Sequence, residues 1–136
     1  MRILGLDLGK KRIGLALSDP LGITAQGLDT LNRTRIREDL DRLAGLIERH
    51  GVSLILIGNP VHMSGEEGRQ SDSARAFAAR LEERTGVPCR LWDERLTTVE
   101  ATRVLKESGI SSKKRSDAVD KLSAVVLLNS YLSAQP

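Results

Sequence analysis

The spacing of apolar residues changes several times along the chain, and these changes divide it into strands and helices. Short apolar runs bounded by turn residues predict strands. Apolar residues three and four apart, closed by glycine, predict helices. We expect strands at about 2–8, 13–18, 24–31, 53–58 and 87–93, and helices at about 34–50, 71–85, 97–109 and 116–132, the last after a basic loop, 111–115.

The predicted element order points to an α/β domain. Segment 53–58 has no polar residue between its apolar ones, which is typical of a strand buried on both faces and favours parallel pairing. Three strands followed by helix-strand-helix-strand-helix predict one central mixed sheet with an initial antiparallel hairpin and helices on both faces. At 136 residues, the chain is expected to form a single domain, 1–136.

Composition narrows the function classes. Hydrophobic residues make up 40% and charged residues 29%, no run is long enough to span a membrane, and no signal peptide is recognised. A single cysteine, Cys89, allows no internal disulfide and fits a cytoplasmic protein. One Cys and two His do not supply a convincing set of zinc ligands. The formal charge of +3 is a mild indication of a polyanionic partner.

One carboxylate stands out, because Asp7 lies inside the apolar strand predicted at about 2–8. A buried carboxylate is unfavourable unless a cation compensates it.

Gly9 and Gly14 have the spacing of a P-loop, but Leu15 and Ala16 stand where Lys and Ser/Thr are needed. The segment Gly5–Gly9 also resembles the first phosphate motif of the actin and sugar-kinase fold, which needs two domains where this chain has one.

Further acids follow later predicted elements. Asp93 and Glu94 end a strand, and Asp117 and Asp120 lie three apart near the start of the last helix. Open α/β sheets bind ligands at the carboxyl ends of their strands, where these acids can meet Asp7. Two carboxylates about 4 Å apart repel by roughly 4 kcal/mol at an effective dielectric of 20. The cluster therefore predicts a site for Mg²⁺ or Mn²⁺, two of which can cleave a phosphodiester.

Each acid also has a structural interpretation. Asp117 could stabilise a helix N-terminus, Asp120 could lie on a solvated face, and Asp93 with Glu94 could be a strand-end charge pair. Asp19, before a proline, is typical of a turn. The residues alone leave these alternatives open.

Four segments of the chain carry a recognisable set of motifs: GLDLGKKRIGLALSD, LILIGNPVHMSGEEGRQS, WDERLTTVEA and KKRSDAVDKLSAVVLLNSYL. Together they resemble the YqgF family of RNase H-like, resolvase-like proteins, regarded as nucleases of pre-16S ribosomal RNA in bacteria. The resemblance runs nearly end to end, with small departures at Asn59 and Ser123. It implies that Asp7, Glu94 and Asp120 are the metal-binding catalytic carboxylates, with Mg²⁺ or Mn²⁺ as cofactor.

Basic residues accompany each proposed acid in the sequence, which suits the binding of phosphates that flank the scissile one. The loop 60–69 leads to a helix N-terminus that can accept a further phosphate. The expected phosphate-binding residues are Lys10, Lys11, Arg12, Arg95, Lys113, Lys114 and Arg115.

We therefore expect a metal-dependent nuclease with a two-metal-ion mechanism, acting in 5′-end processing of pre-16S ribosomal RNA. The alternatives are a DNA endonuclease that resolves Holliday junctions and a non-catalytic nucleic-acid-binding protein in transcription or ribosome assembly; the three acids favour an enzyme. RNA or DNA, endo- or exonuclease, and oligomeric state stay open. We expect a monomer or weak dimer, because the apolar residues of the last helix are assigned to the core: Val119, Leu122, Val125 and Val126.

Overall fold

The structure, a computed structural model, describes residues 1–59, 69–93 and 112–134, the side chains of 59, 69–71 and 112–120 excepted. The predicted helix at 97–109 and loop at 60–69 lie largely outside these residues. The strands are β1 (Arg2–Leu8), β2 (Arg12–Ser18), β3 (Ala25–Asn32), β4 (Val52–Asn59) and β5 (Cys89–Asp93); the helices are α1 (Ile36–His50), α2 (Arg69–Thr85) and α3 (Ser112–Ala134).

The five strands form one mixed sheet in the order β3-β2-β1-β4-β5. β2 is antiparallel to both of its neighbours, β1 and β3, whereas β4 is parallel to β1 and β5. The uninterrupted apolar run of β4 suits this inner place, and Ile55, Leu56 and Ile57 are completely buried. The predicted mixed sheet with its initial hairpin is confirmed.

Both faces of the sheet are covered by helices. Alternate residues of β1 and β4, such as Leu4, Leu6 and Ile55, pack with the apolar sides of α1 and α2. Their neighbours Ile3 and Leu56 pack on the opposite face, against α3. The protein is therefore a three-layer α/β domain, as expected.

Glycines end two helices as the sequence predicts. Gly51 follows α1 with φ 62°, and Gly86 follows α2 with φ 74°. The amide of Gly86 donates to the carbonyl of Glu82 at 2.8 Å, a bond that closes the last turn of α2.

The start of the last helix corrects the prediction. α3 begins at Ser112, so Lys113, Lys114 and Arg115 belong to its first turn, where a loop was expected. A basic first turn is unfavourable next to the helix dipole, but Lys and Arg have high intrinsic helix propensity. Asp117 consequently lies beyond the first turn, which contains no acidic residue, so its interpretation as a dipole-stabilising acid is wrong.

The buried side of α3 also differs from the prediction, because Leu122, Val125 and Val126 are only half-buried and Val119 has no described side chain. A Cβ at Gly5 would lie 3.3 Å from Leu128 Cβ and 3.5 Å from the Ala124 carbonyl. This close approach, made by a small residue over a glycine, sets which side of the helix faces the sheet. The buried residues are Ser123, Ala124, Leu127, Leu128 and Tyr131.

Three of the four apolar residues of α3 that were assigned to the core retain exposed surface. Complete burial of these residues therefore does not support a monomer. The oligomeric state therefore stays a prediction without that support. Among the described helices, none is long and apolar enough to cross a membrane.

Candidate catalytic site

Asp7 lies near the carboxyl end of β1, half-buried, opposite Gly14 of β2. Side chains alternate along a strand, so Asp7 shares a face with Ile3 and Gly5. That is the face covered by α3, because Ile3 packs in the cluster of α3 residues and Gly5 lies against Leu128. The carboxylate is thus placed on the sheet surface beneath the last helix.

The alternation of side chains at the end of β5 shows on which face of the sheet Asp93 lies. Trp92 packs with Tyr131 of α3, with ring centroids 5.2 Å apart, whereas Leu91 packs with the residues of the opposite layer. By the same alternation, Asp93 lies on the face of Leu91, away from Asp7. Asp93 is exposed and pairs in register with Asn59 of β4.

Glu94 and Arg95 follow directly in the chain and lie outside the described residues. Within the ranges that the structure describes, no group of three or more His, Cys, Asp or Glu side chains could hold a metal ion. The side chains of Glu94 and Asp120 are not among those described.

Asp120 lies in the third turn of α3, and its side chain is not among those described. Position 120 precedes the buried Ala124 by one turn of the helix. Ala124 in turn approaches Gly5, two residues before Asp7 on the same face of β1. The structure therefore brings the elements that carry Asp7 and Asp120 into contact.

The basic turn, residues 9–12, joins β1 to β2, of which Arg12 is the first residue, and follows Asp7 closely. The Gly9 amide donates to the Arg12 carbonyl at 2.8 Å and closes the hairpin. Lys10 and Lys11 are exposed, and the half-buried Arg12 pairs in register with Asn32. Two of the predicted phosphate-binding cations thus project into solvent beside the strand of Asp7.

Sequence reasoning missed two residues that hold this turn. Arg33 donates from its backbone amide to the Lys11 carbonyl and from its guanidinium to the Gly9 carbonyl, both at 2.8 Å. Its Nε lies 3.9 Å from the carboxylate of Asp39, which is 1% exposed. The sequence does contain a sign of this role for Asp39. Position 39 falls beside Leu40 and Leu43 on the apolar stripe of α1, where a carboxylate is unusual.

Asp19 has the structural role that its position before a proline predicts. Its carboxylate accepts bonds from the amides of Ile23 at 2.6 Å and Thr24 at 2.9 Å within the β2–β3 turn. The bond from Thr24 is the main cause that lowers the pKa of Asp19 below its ordinary value. Asp19 is therefore a turn-stabilising residue.

Comparison with known proteins adds the family. The model of the family described as "RuvX: Holliday junction resolvase" matches residues 1–134. The chain belongs to this family. Membership agrees with the resemblance found in the sequence and makes the chain a resolvase-like nuclease.

Curated relatives support the same assignment over nearly the full length. A protein of Koribacter versatilis is 53% identical over 96% of this chain and 86% of its own length. One of Moorella thermoacetica is 48% identical over 97% of this chain and 94% of its own. Both are named "Putative pre-16S rRNA nuclease".

Solved structures confirm the RNase H-like fold. RuvC of T. thermophilus, in complex with a Holliday junction substrate, superposes with a TM-score of 0.61 at 16% identity and covers 98% of this chain and 95% of its own. The fowlpox virus resolvase with junction DNA gives 0.57 at 13% identity, with 98% of both chains covered. At such identities, the likeness concerns the fold.

Proposed function

We propose that this nuclease is metal-dependent and that Asp7, Glu94 and Asp120 are its metal-binding catalytic carboxylates. The observation that carries the proposal is the half-buried Asp7 on the sheet face that α3 covers. A carboxylate that is still accessible at that place can serve as an oxygen ligand of a divalent cation, and α3 is the element that contains Asp120.

The order of the strands supports this choice of ligands. β1 and β5 both border β4, so they run roughly 10 Å apart, and Glu94 follows β5 directly in the chain. Asp93 lies on the opposite face of the sheet from Asp7. That placement, together with the family resemblance, supports Glu94 over Asp93 as the ligand.

Mg²⁺ or Mn²⁺ bound there would activate a water molecule and stabilise the leaving oxygen of a phosphodiester. The chain's own residues would orient the substrate. Lys10 and Lys11 are exposed beside Asp7 and are proposed to bind phosphates next to the scissile bond, with Arg12 and Arg95 as neighbours in sequence.

Lys113, Lys114 and Arg115 are proposed to form a second phosphate-binding segment. Their backbone lies in the first turn of α3, where the helix dipole already favours an anion. The three cations would add to that field, so the turn suits a phosphate farther along the same strand.

The substrate we favour is structured ribosomal RNA, in the 5′-end processing of pre-16S RNA. The support is the name shared by the curated relatives, which match at 53%, 46% and 48% identity over nearly the whole chain. Such processing would take place in the cytoplasm.

A panel of labelled substrates tests the proposal: a pre-16S 5′-region RNA, an RNA hairpin, a DNA duplex and a four-way junction. Each is incubated with Mg²⁺, Mn²⁺, Ca²⁺ or EDTA. We expect cleavage of RNA with Mg²⁺ or Mn²⁺ and none with Ca²⁺, whose larger, looser coordination shell fits the compact two-ion site poorly. Substitution Asp7→Asn, Glu94→Gln or Asp120→Asn should nearly abolish cleavage in folded protein. Turnover in EDTA, or in all three variants, would refute the metal mechanism.

The family description favours a second candidate, resolution of Holliday junctions. A junction needs two opposed strands cut together, so a resolvase would be a two-fold dimer with paired active sites. Symmetric paired cuts in the four-way junction, by a protein that is a tight dimer in light scattering, would place this candidate first.

A further inference from the structure

Arg33 contacts the basic turn at two points. Its amide meets the Lys11 carbonyl and its Nη1 meets the Gly9 carbonyl, each at 2.8 Å. The two bonds come from backbone and side chain of one residue, directly after β3. One residue therefore holds both the beginning and the middle of the turn that presents Lys10.

Asp39 anchors Arg33 from the first turn of α1. One oxygen of its carboxylate accepts bonds from the Thr34 amide at 3.0 Å and from Arg42 Nη2 at 2.7 Å. The other oxygen is buried without a hydrogen bond among the described residues, and Arg33 Nε is 3.9 Å away. Nearby cations compensate the charge of a buried carboxylate. Asp39 therefore favours one position of the Arg33 guanidinium.

Phe77 of α2 supports the guanidinium from another side, with Arg33 Cζ 5.7 Å from the ring centroid. Phe77 packs in the layer of α1 and α2, on the face of the sheet opposite to Asp7. The Arg33 side chain, 28% exposed, thus approaches the turn from behind the sheet, where it does not compete with a substrate at the carboxylate.

We propose that Arg33 is a positioning residue that fixes the basic turn so that Lys10 and Lys11 are preorganised for phosphate beside Asp7. The inference rests on the proposed function, because it takes the turn to be a phosphate-binding element. A preorganised cation binds phosphate better than a mobile one, since less conformational freedom is lost on binding.

A double-mutant cycle tests this coupling. Arg33→Met keeps the aliphatic stem and removes the guanidinium; the matched control is Arg84→Met, which breaks an exposed ion pair of Arg84 with Asp41 (3.3 Å). Dissociation constants for a fluorescent RNA hairpin are measured by anisotropy in EDTA, with and without Lys10→Ala and Lys11→Ala.

We expect Arg33→Met to weaken binding roughly tenfold and the lysine changes to add little in that background. The control should bind like the parent protein. Additive losses would overturn the proposal.

Hydrogen exchange of the Gly9 amide tests, without any substrate, whether the Arg33 side chain holds the turn. We expect faster exchange in Arg33→Met and unchanged exchange in Arg84→Met; unchanged exchange in both would show that Arg33 does not hold the turn. If exchange is faster in Arg33→Met but the parent protein binds no RNA, Arg33 holds the turn and the proposed function fails. The role of Arg33 in positioning cations for phosphate is then refuted as well. If Arg33→Met does not fold, Arg33→Lys replaces it, since an ammonium lacks the fork of donors, with the same non-additivity expected.

Discussion

The Gly9 amide donates to the Arg12 carbonyl at 2.8 Å, and a Cβ at Gly9 would lie 2.7 Å from that same oxygen. Any side chain at position 9 would therefore clash with the Arg12 carbonyl unless the backbone moved. The hairpin that follows Asp7 therefore requires glycine at this position for space, independently of its φ angle.

Gly9→Ala should force the turn open and lower the free energy of unfolding by about 1–3 kcal/mol. Gly45→Ala is the matched control, because nothing lies within 4 Å of its added Cβ in the interior of α1. That variant should gain about 0.5–1 kcal/mol from higher helix propensity. Urea denaturation of both measures the difference. Equal stability of the two variants would show that the hairpin tolerates a Cβ.

Ser123 is 1% exposed, and its hydroxyl has no hydrogen-bond partner in the described part of the chain. Ser123→Ala removes a desolvated polar group and should raise the free energy of unfolding by about 1 kcal/mol, or Tm by roughly 3–5 °C. Ser130→Ala, on the same helix, removes the acceptor of Trp92 Nε1 at 3.2 Å and should lower stability by up to about 1 kcal/mol. Calorimetry checks both signs, and a lower Tm for Ser123→Ala would mean that the hydroxyl is bonded.

Metal binding should be visible in stability. If the carboxylates repel each other without metal, Asp7→Asn should leave the metal-free protein as stable as the parent or more so. It should also abolish the rise in Tm that Mg²⁺ or Mn²⁺ produces in the parent protein. Thermal melts with EDTA and with each metal test this. A large loss of stability in EDTA would instead identify Asp7 as a structural hydrogen-bonding residue.

Neutralising the basic segments should change the salt dependence of binding. Each lost phosphate contact flattens the slope of log Kobs against log salt by about 0.7–0.9. We expect this from Lys10→Ala with Lys11→Ala, and separately from Lys113→Ala with Lys114→Ala, with similar weakening for all RNA sequences. Arg84→Met should leave the slope unchanged. A slope unaffected by either pair would exclude that pair from the interface.

Cys89 should be unreactive in the folded protein. Burial and the nearby Glu82 raise the pKa of its thiol to about 12, so it stays protonated at pH 8 and is a poor nucleophile. Iodoacetamide should label native protein at least about tenfold more slowly than urea-unfolded protein. Because the folded pKa lies above the unfolded one, the stability linked to this thiol is full below pH 9 and falls as pH rises toward 12. Equal labelling rates would show an accessible thiolate.

Local patterns in the sequence were enough for most of the fold. The apolar run of β4 places it inside the sheet, Gly51 and Gly86 end their helices, and the inward residues of α2, such as Phe77 and Leu81, are buried as predicted. These features depend on spacing and backbone freedom within a few residues, which the sequence states directly.

Features that depend on contact between distant segments were not readable in this way. The buried side of α3 is set by how closely Ala124 approaches Gly5, more than a hundred positions away, and the apolar residues of the helix alone indicated a different side. Likewise, nothing near Gly9 in the sequence indicates that Arg33 binds its carbonyl.

The candidate site divides in the same way. The sequence by itself singled out Asp7, because a carboxylate in an apolar strand is a local anomaly, and its four motif segments indicated the family, whose resemblance implies Asp7, Glu94 and Asp120 as ligands. Only the tertiary structure decided that Asp93 lies on the other face of the sheet from Asp7 and that Asp39 anchors Arg33 behind the basic turn. The physical reason is that the face of a strand and the partner of a buried charge are set by packing across the sheet, which no single stretch of sequence contains.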